Sequence, residues 1–311
     1  MKPAKTLSII VAVYYNAESL PHLHEQLIQL EEMLHSRQID LELIFVDDGS
    51  GDNSLEQLLK IKAARPATKV INLSRNFGAV AASKTGFQFV TGDAFTMLSA
   101  DLQEPIEQIV LMVDEWVNGH KFVVAARAAR GDPPVTKFFA SIYYLLLEFM
   151  VIKGYPQGGY DLMLMDKVML PYLQRSTKNT NPNVYAFWLG FNPRVLSYSR
   201  LERQHGRSRW TFRKKLKFLF DTVTGFSVMP IRMLSGFGVF VAFLSFLYGI
   251  SLVVSAVLGD VEVQGFATLA ALISFFSGLI LVMLGAIGEY LWRVFDAVSS
   301  KPEAVIEETF L

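Results

Sequence analysis

Two rhythms of apolar residues run through the first 130 positions of the chain. Short apolar runs at Leu7–Val13, Leu41–Asp47, Thr68–Asn72, Ala94–Leu98 and Phe122–Ala126 carry no helical spacing and predict strands. Between them, Leu20–Leu34, Ser54–Lys62, Ala79–Val90 and Ile106–Val117 repeat apolar residues every three to four positions and predict helices. Apolar strands separated by helices of this length imply an α/β fold, a mainly parallel sheet covered on both faces. Ligands of such sheets bind outside the C-terminal ends of the strands. That rule singles out Tyr14–Glu18, Asp47–Ser50, Ser74–Phe77 and Ser99–Gln103, the polar segments after the first four strands.

Beyond Ala126 the pattern changes. Lys137–Val151 has the density of an amphipathic helix, and Thr211–Thr224 mixes bases with Phe212, Leu216, Phe218, Leu219 and Phe220. Each suits packing on the domain, and the second equally suits a membrane interface. Gly158–Asp166 reads as a polar lead-in to a helix-like Lys167–Leu173. Two charge-free stretches then follow, Met233 to Leu258 and Phe266 to Gly288. Each is long enough to cross about 30 Å of hydrocarbon as a helix. The acidic turn with Asp260 and Glu262 joins them as a hairpin. Arg200 to Arg232 holds nine Lys or Arg against two acids, and Arg293 and Lys301 follow the second stretch. This asymmetry predicts both chain ends on the cytoplasmic side. The implied division is a soluble domain over 1–210, a basic juxtamembrane interfacial helix over 211–232, a transmembrane hairpin over 233–292 and a cytoplasmic tail over 293–311.

Composition changes little in this picture. The 311 residues are 51% hydrophobic with a net charge of zero, and the apolar excess lies in the C-terminal segment. The basic segment before the first stretch reads as an anchor for anionic lipid, with nucleic acid the weaker alternative because no binding motif accompanies it. The absence of cysteine excludes disulfides and thiolate chemistry. The run Leu7–Val13 is too short for a span, is unlike a signal peptide and reads as a buried first strand. The five His residues show no metal-ligand spacing, and His22 and His24 decorate a helix surface.

Chemistry concentrates at the strand ends. Asp47 and Asp48 close a buried run, and Gly49-Ser50-Gly51-Asp52 turns the chain toward a helix. Carboxylates there suit the imide of a uracil ring or ribose hydroxyls, and they equally suit a capped turn. Asp101, after a central strand, is placed for Mg²⁺ or Mn²⁺ bridging a diphosphate, with Gln103 and Glu104 beside it.

The ordered segments Tyr15-Asn16-Ala17-Glu18, Asp47-Asp48-Gly49-Ser50, Ser74-Arg75-Asn76-Phe77-Gly78 and Ala100-Asp101-Leu102-Gln103-Glu104-Pro105 resemble the inverting GT-A nucleotide-sugar transferases. Within them the chain is similar to the polyprenyl-phosphate branch, which includes dolichyl-phosphate mannose synthase and bacterial GtrB-type glucosyltransferases. Asp161-Leu162-Met163-Leu164-Met165-Asp166 matches the branch's Asp-Phe-Arg-Leu-Met-Asp segment. Arg203-Gln204-His205-Gly206-Arg207-Ser208-Arg209 matches its Arg-x-x-Gly-x-Ser-Lys segment, and the hairpin completes the likeness.

The resemblance implies a Rossmann-like GT-A domain holding a UDP-sugar through Tyr15, Asn16, Glu18, Asp47, Asp48, Asn76, Ala100, Asp101, Gln103, Arg203 and Arg207. Asp101 would be the metal ligand, with Mg²⁺ or Mn²⁺ as cofactor. Asp161 would orient the acceptor as a base-like carboxylate, its alternative being a helix N-cap, and Arg127, Arg130 and Arg209 would meet the acceptor phosphate. The expected reaction moves a hexose, glucose by preference, onto undecaprenyl phosphate at the cytoplasmic membrane face with inversion. Mannose and aminoarabinose transfer are the alternatives within the branch. The lipid bilayer is the expected setting, a bacterial plasma membrane, and a homo-oligomer, with a tetramer among its states and the tail reaching a neighbour, is the expected assembly.

Two positions depart from the family pattern. Ser99 stands where the first carboxylate of Asp-x-Asp would be, leaving Asp101 as the main anionic ligand, and Met163 replaces an Arg. A processive polysaccharide synthase is the competing enzyme class. It would carry Gln-x-x-Arg-Trp, but Gly206 stands where that Gln would be before Arg209-Trp210. A non-catalytic membrane-anchored nucleotide-binding protein is the non-enzymatic reading, and turnover of UDP-sugar separates it from the rest.

Overall fold

The computed structural model describes residues 5–101, 103–127, 145, 148, 152, 155–156, 159–178, 180–198, 222–258, 265–299 and 301–311. It divides into two compact units, Met1–Thr222 with Lys301–Leu311, and Val223–Ser300.

The first unit is built on β1 (Lys5–Val13), β2 (Ile39–Asp47), β3 (Lys69–Leu73), β4 (Ala94–Ser99), β5 (Phe122–Arg127), β6 (Tyr160–Asp166), β7 (Arg194–Tyr198) and β8 (Ile306–Phe310). They form one sheet in the order β7-β5-β6-β4-β1-β2-β3-β8. The pairs β1–β2, β1–β4, β2–β3 and β5–β7 are parallel, and β4–β6, β5–β6 and β3–β8 are antiparallel. Helices α1 (Leu20–His35), α2 (Ser54–Ala64), α3 (Ala79–Phe87) and α4 (Ile106–Val117) join the first five strands. Shorter α5 (Leu170–Gln174) and α6 (Pro182–Trp188) follow β6.

Both faces of the sheet are buried, which is why the central strands read as unbroken apolar runs. Leu7, Ile9, Val11 and Val13 of β1 join Leu41, Leu43 and Phe45 of β2 in a core with α1 and α4. Ile10, Ile44 and Val46 point the other way, into a second core with Ala82 and Phe87 of α3 and Phe187 of α6. Helix α1 contributes Leu20, Leu23, Leu27, Leu30 and Leu34, the spacing of one helical face.

Two features differ from the sequence expectations. Gly158–Asp166 is not a lead-in to a helix, because Tyr160–Asp166 is strand β6, inserted between β4 and β5. Its Leu/Met run is buried on both sides, so no alternation marks it as a strand. The expected helical segment does begin after Asp166, whose side chain accepts from the Val168 amide. The segment 293–311 is not a single tail: 293–298 completes a long helix, and Ile306–Phe310 adds β8 along β3 of the same chain. Lys137–Val151 falls almost wholly outside the described residues, as does Thr211–Thr224 up to residue 221.

The second unit holds α7 (Met229–Leu258) and α8 (Phe266–Val298). Met229–Ser251 and Phe275–Val298 are long and apolar enough to cross a membrane, with mean hydropathies of 2.0 and 1.7 and no burial within the protein. Tyr290 donates its hydroxyl to the Ser227 carbonyl at 2.7 Å, tying α8 to the start of α7.

Candidate active site

The register brings the strand ends together. Val13 pairs with Asp47, Asp47 with Asn72, and Ala12 with Ser99, so the C-terminal ends of β1 to β4 form one edge. Asp47 and Asp48 end β2 side by side but engage different neighbours. Asp48 accepts from the Phe77 amide at 2.7 Å, the Gly78 amide at 2.9 Å and the Asn76 side chain at 2.9 Å. It thereby ties the loop after β3 to the end of β2. Asp47 accepts through Oδ1 from the amide and hydroxyl of Ser50 at 3.1 and 2.5 Å. Its Oδ2 is buried without a hydrogen-bond partner among the described residues. Burial raises the pKa of both carboxyls above the ordinary value. Ser50 opposes the rise at Asp47 and the Asp52 charge adds to it; at Asp48 the Phe77 and Gly78 amides oppose it.

The two loops nearly touch. A Cβ at Gly49 would lie 2.5 Å from the Arg75 carbonyl carbon, and Gly49 has φ +65°, so only glycine fits without strain. The loop after β1 closes over the same turn. Tyr15 has φ +55°, and its amide donates to Ser50 Oγ at 3.0 Å. Asn16 donates its amide to Ser54 Oγ at 2.9 Å, and Ala17 donates to Asp52 at 3.3 Å. The Tyr15 hydroxyl packs where a Cβ of Gly51 would lie, and the residue is 46% exposed. Glu18 is exposed on the same loop.

At the end of β4, Ser99 donates its hydroxyl to Glu104 at 3.2 Å, and Glu104 is buried. The Ala100 carbonyl accepts from Ser19 Oγ at 2.8 Å, fixing β4 against the start of α1. Asp101 and Gln103 are half-buried on the following loop. Among the described residues no group of three or more His, Asp or Glu is arranged as a metal cluster. Asp101, with Ser99 and Gln103 close in sequence and Glu104 engaged by Ser99, supplies the oxygen chemistry of a hard divalent ion that would take its remaining ligands from water and substrate phosphate.

Strand β6 delivers a further carboxylate to this edge. Its antiparallel register, Ala94 with Asp166 through Thr96 with Leu164, runs its first residues toward the C-terminal end of β4. Asp161 therefore lies at the edge that holds Asp47 and Asp101. It sits in a strand, not at a helix N-cap, beside a register shift between Ala125 and Ala126. Tyr198, buried at the end of β7, donates its hydroxyl to Asp161 Oδ2 at 2.8 Å. Arg127 ends β5 and pairs in register with Tyr198, which puts its backbone at the same edge. Arg130, Arg203, Arg207 and Arg209 lie outside the described residues. Tyr198 and the serines 19 and 54 escaped the sequence reading. The serines follow the strand ends closely enough to be suspected, whereas Tyr198 has no local signal.

Comparison with known proteins gives one consistent result. The profile of glycosyl transferase family 2 matches residues 8–197. The chain is 33% identical over 306 residues to an uncharacterised glycosyltransferase, YkcC, of Bacillus subtilis (strain 168), covering 97% of this chain and 94% of that protein. It is 27% identical over 303 residues to the bactoprenol glucosyl transferase of Shigella phage SfX, covering 97% and 98%. Among solved structures, glucosyl-3-phosphoglycerate synthase from Mycobacterium tuberculosis with phosphoglyceric acid superposes with a TM-score of 0.50. That match has 16% identity and covers 71% of this chain and 81% of that one, a likeness of fold.

Proposed function

The chain belongs to glycosyl transferase family 2, and from that premise we propose that it transfers a hexose, glucose, from UDP-glucose to undecaprenyl phosphate at the cytoplasmic face of a bacterial plasma membrane. The observation that carries this reading is the convergence of Asp47, Asp101 and Asp161 on one sheet edge, in a chain with two long apolar helices. Support for the lipid acceptor comes from the bactoprenol glucosyl transferase whose whole length aligns with this chain.

The donor's uracil ring suits Asp47 and Tyr15. The unpartnered Oδ2 of Asp47 accepts an imide N–H, and the exposed Tyr15 offers an aromatic ring for stacking. Asp48 does not need to touch the donor to matter, since it holds Asn76, Phe77 and Gly78 in place. Asp101 with Gln103 would hold Mg²⁺ or Mn²⁺, which when bound neutralises charge on the diphosphate.

The acceptor needs little activation. A phosphomonoester has its second pKa near 6, so it is largely dianionic at neutral pH. Its oxygen bonds to the anomeric carbon as the bond from that carbon to UDP breaks. The electron pair leaves on UDP, and the anomeric configuration inverts. Asp161, held by the Tyr198 hydroxyl, orients the acceptor from the opposite side of the edge. Arg127, with Arg130 and Arg209, would supply the forked donors that the acceptor phosphate requires.

Full-length protein in liposomes with undecaprenyl phosphate, offered radiolabelled UDP-glucose, UDP-galactose, GDP-mannose and UDP-aminoarabinose in turn, tests this reading. UDP-glucose is expected to give the most label in the lipid extract, with a β-linked product from the α-linked donor. A different preferred donor would change the assigned sugar. Failure of every donor to label lipid would overturn the acceptor, and an α-linked product would overturn inversion.

A further inference from the structure

Lys84 is a charged side chain only 7% exposed, on the helix that leaves the candidate donor loop. Its ammonium donates to the Thr177 carbonyl at 2.9 Å and the Ser176 carbonyl at 3.4 Å, and it pairs with Glu303 at 2.5 Å. Glu303 precedes β8, the strand that returns after the second apolar helix. The same returning segment accepts the Ser74 amide on the Val305 carbonyl at 3.0 Å. Side chains continue the contact, with Asn72 donating to Glu307 at 3.4 Å.

The loop Ser74–Gly78 is thus gripped on three sides. Asp48 holds its far end through the Phe77 and Gly78 amides, Val305 holds its first residue, and the Lys84–Glu303 pair fixes the helix it feeds. A buried ammonium needs a counter-charge as well as carbonyl partners, so losing Glu303 leaves Lys84 badly compensated. A charged pair at this point specifies one seating of the returning segment, whose mostly polar, exposed strand would otherwise tolerate slippage.

We infer that Lys84 and Glu303 are positioning residues. They clasp the C-terminal strand onto the first unit and hold the Ser74–Gly78 loop in the geometry that receives the nucleotide-sugar donor. This inference rests on the reading of that edge as the donor site. The returning segment would then make donor binding depend on residues more than 200 positions away in sequence.

Two measurements on the full-length protein in detergent test it. Hydrogen exchange reads the loop without any ligand, and calorimetry reads UDP binding without turnover. In Glu303→Ala, the Phe77 and Gly78 amides are expected to exchange roughly tenfold faster while β1 and β2 keep their protection. UDP affinity is expected to fall roughly five- to tenfold, and the KM for donor to rise similarly, with the KM for polyprenyl phosphate unchanged. Glu303→Gln, which keeps the size and one hydrogen bond, should give a smaller change in the same direction and serves if the alanine variant does not fold. Unchanged exchange and UDP affinity in either folded variant would overturn the clasp. Loss of protection across the whole sheet would also overturn it, by making Glu303 a general stability residue. A wild-type protein that binds no UDP would instead refute the donor-site reading on which the clasp depends.

Discussion

Asp47 and Asp48 are neighbours with similar burial, yet the structure gives them opposite situations. Asp48 has its charge met by two backbone amides and Asn76, whereas Asp47 keeps one buried oxygen without a partner among the described residues. Burial raises the pKa of Asp47. A carboxyl raised in the folded state carries no penalty while both states are protonated. The penalty grows as pH rises past the ordinary carboxylate value and is complete above the raised one. Asp47→Asn is therefore expected to melt higher than wild type near pH 7 and level with it near pH 3. Its UDP affinity should fall about tenfold, as for loss of a hydrogen bond to a charged group. A variant that melts lower at neutral pH would show that the charge is stabilising and the assignment wrong. Asp101→Asn is expected to abolish transfer and remove any Mn²⁺ stimulation of UDP binding. Ser99→Asp, which restores a second carboxylate, should tighten metal binding without changing the product; an active Asp101→Asn enzyme with an unaltered Mn²⁺ response would remove Asp101 from the metal.

The elements bearing these residues are held by contacts between loops. Gly49 is the tightest: a side chain there meets the backbone of residues 75 and 76 and must also adopt a left-handed conformation. Gly49→Ala is expected to lower stability by about 2 kcal/mol or more and to weaken UDP binding, because Asp47 and the Asp48-tethered loop move apart. Denaturation and UDP titration of the same preparation check both effects. Normal stability with normal binding would mean the loops have room that the geometry denies. Gly78, by contrast, has open space where a Cβ would lie, so its requirement is its φ of +100° alone.

For the whole molecule, the two helices α7 and α8 set the expected topology. Basic residues flank the two apolar helices in sequence and Asp260 and Glu262 lie between them, so the connection is expected outside and both chain ends in the cytoplasm. The chain has no cysteine, so single cysteines introduced at Gly259 and Ser300 report without background. They are expected to label from opposite sides of sealed vesicles, and labelling from one side would remove the hairpin topology. The proposed homo-oligomer has a direct readout in native mass measurement from lipid nanodiscs. A mass above one protomer is expected, and a single protomer at every concentration would exclude it. Within the chain, strand β8 pairs with β3.

The sequence alone determined the parts governed by local pattern. The first five strands, the four helices between them and the two apolar helices follow from hydrophobic spacing and length, because each segment's burial is written in its own residues. The motifs at the first four strand ends also placed Tyr15, Asp47, Asp48 and Asp101 near one edge, since in a parallel sheet successive strand ends share a side. Only the tertiary structure decided the rest. Strand β6 has an apolar run as compatible with a helix as with a strand, and its strand state depends on the partners β4 and β5 on either side. That pairing set Asp161 at the sheet edge rather than at the helix N-cap that was its alternative, and gave it Tyr198 from a distant strand. Strand β8 is mostly exposed and rich in charge, so no hydrophobic rhythm announces it. Its place is fixed by the open edge of β3 and the buried Lys84, and interactions separated by more than 200 residues leave no trace in local spacing.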